Sequence, residues 1–98
     1  MARDRFDSPA MDRLFQAILT LESLEECYAF FEDLCTINEL NSLAQRLEVA
    51  RMLREGRTYT SIEEETGAST ATISRVKRFL KYGAGGYPLI LERQKKRE

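Results

Sequence analysis

Three times before residue 64 a hydroxyl side chain is followed, three positions on, by glutamate: Ser23 and Glu26, Thr36 and Glu39, Thr60 and Glu63. That spacing is a capping box. The hydroxyl accepts from the N–H of the glutamate, and the glutamate folds back onto the N–H of the capping residue. Each pair therefore predicts a helix start. Ser8-Pro9 predicts a fourth, with serine as cap and proline in the first turn, where its missing N–H costs nothing. Gly56, Gly67 and Gly83 supply the stops. Between these signals apolar residues recur at helical spacing, and no period-two alternation is sustained. The chain is thereby confined to packed helices, an all-α fold.

The apolar positions say how much each helix must cover. Leu14, Phe15, Ile18 and Leu21 make one stripe on the first helix. On the second, Leu24, Cys27, Tyr28, Phe30, Phe31, Leu34 and Cys35 spread over about 160°. Such a stripe predicts more than one packing neighbour. The third helix runs to about Glu55, with Leu40, Leu43, Ala44, Leu47 and Ala50 on one face and Val49, Met52 and Leu53 on another. It reads as central, covered on two sides. The Thr60 box opens a short helix to about Thr66, and Ser69 or Thr70 caps the next, which ends at Gly83. Pro88 starts a last helix through Leu89, Ile90 and Leu91. Residues 1–7 read as a loose arm and 93–98 as a frayed tail. The 98 residues form one domain, 1–98, whose limited core would gain from pairing with a second copy.

Several function classes drop out. No apolar run approaches the ~18 residues of a membrane span. The first residues, MARDRFDSPAMDR, lack the apolar core of a secretory signal, so the expected location is cytoplasmic. The two cysteines, Cys27 and Cys35, sit among apolar residues and read as core packing, and histidine is absent. Neither a metal-ligand cluster nor a nucleophile–base pair is visible, so no metal, cofactor or enzymatic activity is expected.

A net charge of −1 hides an asymmetry. Residues 22–39 hold six acids and no base, whereas 70–97 hold eight bases and one acid, Glu92. A nearly neutral chain can still present a basic face. That face includes TGASTATISRVKRFLKYG, Thr66 to Gly83. Two short helices joined at Gly67 have the form of a helix-turn-helix, about residues 59–82. Ile62, Ile73, Val76 and Leu80 supply its packing seam; Thr70, Ala71, Ser74, Arg78 and Lys81 fall opposite. Small residues at the start of such a helix can approach base edges in the major groove. Arg75, Lys77, Arg78 and Lys81 would then meet phosphates. A plainer reading of Lys77, Arg78 and Lys81 is that bases suit a helix C-terminus. Glu63, Glu64 and Glu65 point the other way, since three acids on the supporting helix repel phosphate.

From Leu34 to Lys81 the chain resembles the Trp repressor family. The motif GAxxATI(S/T)R is present as Gly67-Ala68-Ser69-Thr70-Ala71-Thr72-Ile73-Ser74-Arg75, and LCTINELNSLAQRLEVARMLREG is similar to the long helix before it. The spacing is kept without gaps from Thr36 to Arg75, about half the chain is covered, and the size and short arm are most similar to the YerC/YecD-type branch. The resemblance implies about six helices and an intertwined homodimer that sets two recognition helices into successive major grooves. It also adds Thr72 to the base-facing segment Thr70, Ala71 and Ser74, although the helix wheel puts Thr72 nearer the buried seam. A lysine of the family's first helix is replaced by Glu63.

In the Trp repressor two arginines clasp the indole of bound tryptophan, and Arg46 and Arg75 match them. Val76 stands where that repressor has glycine, Phe79 where it has a serine that helps hold the ligand, and Asp33 replaces an apolar residue of the rim. The expectation is a remnant pocket of Arg46, Arg75, Val76 and Phe79, filled by the last two and not taking tryptophan. Alternatively Arg46 and Arg75 simply pair with acids such as Glu48.

Together these features predict a dimeric, sequence-specific regulator of transcription, a repressor whose partner is double-stranded DNA, read as a pseudo-palindrome through residues 70–82. Two rivals keep the fold: a helical protein-interaction module, and a non-specific nucleic-acid binder driven by the basic helix and RQKKRE.

Overall fold

The structure, a computed structural model, describes residues 7–97. Six helices follow one another: α1 (Pro9–Ile18), α2 (Leu24–Leu34), α3 (Ile37–Arg54), α4 (Tyr59–Thr66), α5 (Thr70–Tyr82) and α6 (Gly86–Arg97). No strand occurs among the described residues. The expected arm, 1–7, lies outside them apart from Asp7.

Local capping chemistry sets most of these boundaries. Ser8 Oγ accepts from Met11 N–H at 3.1 Å and starts α1. Thr36 and Glu39 form the full reciprocal box, with Glu39 N–H donating to Thr36 Oγ1 at 3.1 Å and Thr36 N–H to Glu39 Oε1 at 2.7 Å. At α2, Ser23 Oγ caps Glu26 N–H at 3.1 Å, but Glu26 Oε1 accepts from Glu22 N–H at 2.8 Å, one residue earlier than the box expects. The third box is not made. Thr58 is the cap of α4, accepting from Ser61 N–H at 3.1 Å, two residues before the expected Thr60. The earlier start brings Tyr59 onto the core and leaves the Glu63 carboxylate for another partner.

The chain divides into two compact units, with the boundary inside α3. The unit ending at Leu40 holds α1 and α2, and neither helix buries a residue. The unit beginning at Asn41 holds the core: Val49, Ala50 and Met52 of α3, Ile62 of α4, Ala68 of the turn, Ile73 and Val76 of α5, and Leu91 of α6. Leu47, Leu53, Tyr59, Leu80 and Tyr87 pack around it. Full burial of such aliphatic side chains contributes ~1.5–3 kcal/mol each, so this cluster fixes where α4 and α5 lie. The two-sided covering expected of α3 holds for its second half only: Leu43 is 47% exposed.

Two helix ends carry special geometry. Past α3, Arg57 N–H reaches Met52 O at 3.1 Å and Gly56 N–H reaches Leu53 O at 3.0 Å, the paired bonds of a Schellman stop. At the end of α5, Gly83 N–H bonds Phe79 O at 3.0 Å, and a Cβ on Gly83 would collide with that same oxygen. Only glycine permits this close approach. Then α6 begins at Gly86, two residues before Pro88, whose missing N–H falls in the first turn. The expected frayed tail is corrected for residues 93–97, which continue α6 as helix. Buried Leu91 and the Arg54–Glu92 ion pair at 3.0 Å hold this helix, and its last-turn Lys95, Lys96 and Arg97 suit the negative end of the dipole.

Candidate nucleic-acid interface

The turn between α4 and α5 is held from three directions. Gly67 has φ +72°, left-handed backbone open to glycine without strain, and its N–H closes α4 on Glu63 O at 2.9 Å. Thr66 Oγ1 donates to Ile62 O at 2.7 Å and accepts from Ala68 N–H at 3.1 Å. Gln45 of α3 donates through Nε2 to Thr66 O at 3.1 Å. Ser69 then caps α5, its Oγ accepting from Thr72 N–H at 3.1 Å. The turn is thus a fixed joint, and α5 leaves it in a set direction.

One face of α5 is sealed and the other is open. Ile73 and Val76 are buried against Ile62 and Ala68, and Leu80 is half-buried. Thr70, Ala71, Ser74, Arg75, Lys77, Arg78 and Lys81 are all exposed. Thr72 is half-buried, and its Oγ1 accepts from Ser69 Oγ at 3.1 Å. The helix wheel therefore sorted these positions correctly. Small side chains occupy the N-terminal turns of the open face and cations the later ones, with no carboxylate on α5 itself.

The acids of α4 are less free than their sequence implies. Glu63 accepts a hydrogen bond from the Thr70 hydroxyl, and Glu65 accepts from the Arg57 guanidinium. Glu63 keeps its charge beside a neutral hydroxyl, whereas the charge of Glu65 is paired with a cation.

The four residues matched to the repressor's ligand site differ in burial. Val76 is 1% exposed and belongs to the core, whereas Phe79 is 43% exposed. The guanidinium of Arg75 lies 6.0 Å from the centre of the Phe79 ring and that of Arg78 at 5.5 Å, both in cation–π range. Phe79 also lines an apolar recess of about 500 Å³ with Leu47, Tyr87 and Ile90. Arg46 is half-buried on α3. The alternative pairing of Arg46 with Glu48 is not made: Glu48 is held by Arg51, which also reaches Glu55 Oε2 at 2.6 Å. The Arg51 hydrogen bond draws the Glu48 carboxyl below the usual carboxylate range.

Tyr59 was not foreseen. The Lys77 ammonium stands 5.7 Å from the centre of its ring, and its hydroxyl is 3.5 Å from Ser74 Oγ. A helix start set at Thr60 leaves Tyr59 in a loop, and only the Thr58 cap would have placed it on α4 facing α5.

A family model for Trp repressor protein matches residues 9–95. The chain belongs to the Trp repressor family. This is a family of DNA-binding regulators rather than enzymes. The uncharacterized protein YerC of Bacillus subtilis is 64% identical over 98 residues, covering 100% of this chain and 94% of that one. A crystal structure of a candidate Trp repressor from Staphylococcus aureus superimposes with a TM-score of 0.92 at 58% identity, over 97% of this chain and 95% of the other. A TrpR-like protein from Eubacterium eligens gives 0.91 at 60% identity, over 94% and 95%. The Trp repressor fold thus extends well beyond the half of the chain that carries the motifs. Among the described residues no helix is long and apolar enough to cross a membrane.

Proposed function

We propose that this Trp repressor family member is a dimeric, sequence-specific transcriptional repressor that works in the cytoplasm without tryptophan. The observation that carries this reading is the division of α5. Ile73 and Val76 lock one face into the core, while Thr70, Ala71 and Ser74, followed by Arg75, Lys77, Arg78 and Lys81, stand open on the other. A rigidly held helix with small residues first and cations after can enter a major groove and anchor on its phosphates. Ser74 and Thr70 are the base-reading hydroxyls; Thr72, half-buried, contributes through the first turn of α5. The whole chain acts as one DNA-binding domain.

Pairing with a second copy is supported by the unit ending at Leu40. Its helices bury nothing, yet Leu19, Leu24, Tyr28 and Ile37 are 82%, 74%, 69% and 71% exposed. Apolar surface of that extent calls for a partner, and a second copy gives the twofold a palindrome requires. Independence from tryptophan is supported by Phe79, an aromatic ring of the protein's own already beside Arg75.

The test is selection from a random duplex library with purified protein and no added ligand. Enrichment of a palindrome with half-sites ~34 Å apart, altered by Thr70→Ala or Ser74→Ala, is the expected result. A library left unenriched by a folded protein would sink this reading. Calorimetric binding of L-tryptophan in the micromolar range would sink the ligand-free part alone.

A further inference from the structure

Where α3 ends and α4 begins, a recess of about 610 Å³ opens against α5, walled by Leu53, Tyr59, Leu80 and Pro88 and rimmed by cations. Two of these cations are occupied. Arg54 donates to Pro88 O at 3.2 Å and to Glu92 Oε2 at 3.0 Å. Arg57 donates to Ser61 Oγ at 2.6 Å and to Glu65. Lys77 and Lys81, one turn apart on α5, have no ion-pair partner among the described residues. Lys77 instead stands over the Tyr59 ring, whose hydroxyl meets Ser74 on the open face of α5.

A lysine is a strongly hydrated charge on a flexible four-carbon stem, and it fixes a pose poorly unless its rotamers are restricted. An aromatic face beneath the ammonium supplies that restriction without neutralising the charge. Tyr59 is itself fixed, because it packs on the core as the first residue of α4. We infer that Tyr59 is a positioning residue of the DNA interface, seating Lys77 so that one backbone phosphate is held between Lys77 and Lys81 at the mouth of the recess, and orienting Ser74 toward the adjacent groove. The inference rests on the DNA-binding reading and adds to it a residue and a contact that the α5 face alone does not give.

The experiment is a double-mutant cycle on the full chain, read as affinity for the selected duplex between 50 and 200 mM salt. Lys77→Ala should flatten the slope of log K against log salt by up to ~0.9, the value for one whole phosphate contact, since Lys81 still reaches the same phosphate. Tyr59→Leu should weaken binding about two- to fivefold, the size of an exposed cation–π contact. It should do so much less in the Lys77→Ala background, because a residue acting through Lys77 couples to it. Equal effects of Tyr59→Leu in both backgrounds would overturn the inference. Should Tyr59→Leu fail to fold, Tyr59→Phe keeps the packing and loses only the hydroxyl. It should then shift base preference at the positions that Ser74→Ala shifts, and an unchanged preference would overturn the inference. A wild type with no salt-dependent duplex binding removes the DNA reading and the phosphate seat together, an outcome distinct from equal effects in the cycle.

Discussion

The hydroxyl of Thr70, the first residue of α5, donates to the carboxylate of Glu63 on α4. This bond ties the two helices of the motif across their turn, in addition to the apolar seam. It also places one negative charge beside the end of α5 that approaches the bases. Glu63→Lys should therefore act in two opposed directions. Loss of the bond costs about 0.5–1.5 kcal/mol of stability, read as a lower urea midpoint. A cation in place of an anion near the duplex should raise affinity for all sequences and steepen the salt slope by up to ~0.9. Stability and affinity that fall together would show that Glu63 serves only to hold Thr70.

Val76 and Phe79 lie three residues apart on α5, but the structure gives them separate consequences. Val76 is enclosed with Ile62 and Ile73. Val76→Gly should cost about 3 kcal/mol or more, combining a core cavity with the poor helix propensity of glycine. Phe79 is nearly half exposed, so Phe79→Ser should cost ~1 kcal/mol or less while removing the ring beside Arg75 and Arg78. Urea unfolding of the two variants checks the ranking, and a Phe79→Ser loss as large as that of Val76→Gly would place the ring in the core.

Glu39 makes the start of α3 sensitive to acid. The N–H of Thr36, and after it the Thr36 side chain, holds the Glu39 carboxyl below the usual glutamate range. A carboxyl depressed in the folded state stabilises it above the unfolded value of ~4.3, and that contribution is lost as pH falls through the lower folded value. Glu39→Gln keeps an acceptor but no charge. Its melting temperature should lie below that of the wild type at pH 7, and the gap should close below pH ~4. A gap that persists at low pH would place the effect outside the carboxylate.

These cases also show what the sequence can and cannot reveal. Of the two caps that the sequence offers for α5, Ser69 is the one used, and Gly83 ends the helix as expected, because a cap and a close-approach glycine are local chemistry. The sealed and open faces of α5 follow from helical period alone. The sequence points to Thr60 rather than Thr58 as the start of α4 because both are hydroxyl residues and only Thr60 has glutamate three positions on. The choice was made by tertiary contacts: Tyr59 against the core and Glu63 on Thr70. Residues 93–97 carry no apolar stripe of their own, and they continue a helix anchored earlier by buried Leu91 and by the ion pair of Glu92 with Arg54, 38 positions apart in sequence. The same holds for Tyr59 and Lys77, whose meeting no local pattern encodes.

The apolar stripe of α2 sets the last expectation. Leu24 and Tyr28 are one turn apart, on a helix with four acids and no base, and both are exposed. If a second copy covers that stripe, a carboxylate placed within it loses its hydration without gaining a cation, at a cost of several kcal/mol. Leu24→Glu should then shift a sedimenting dimer toward single chains and abolish binding to the full palindrome, while a charge change on the polar face, Glu25→Gln, leaves both unchanged. Circular dichroism separates this from simple unfolding, because the unit from Asn41 onward keeps its own core. A wild type that sediments as single chains at micromolar concentration, or a Leu24→Glu variant that still pairs, would show that α2 is not the dimer surface. The twofold reading of a palindrome would then need another source.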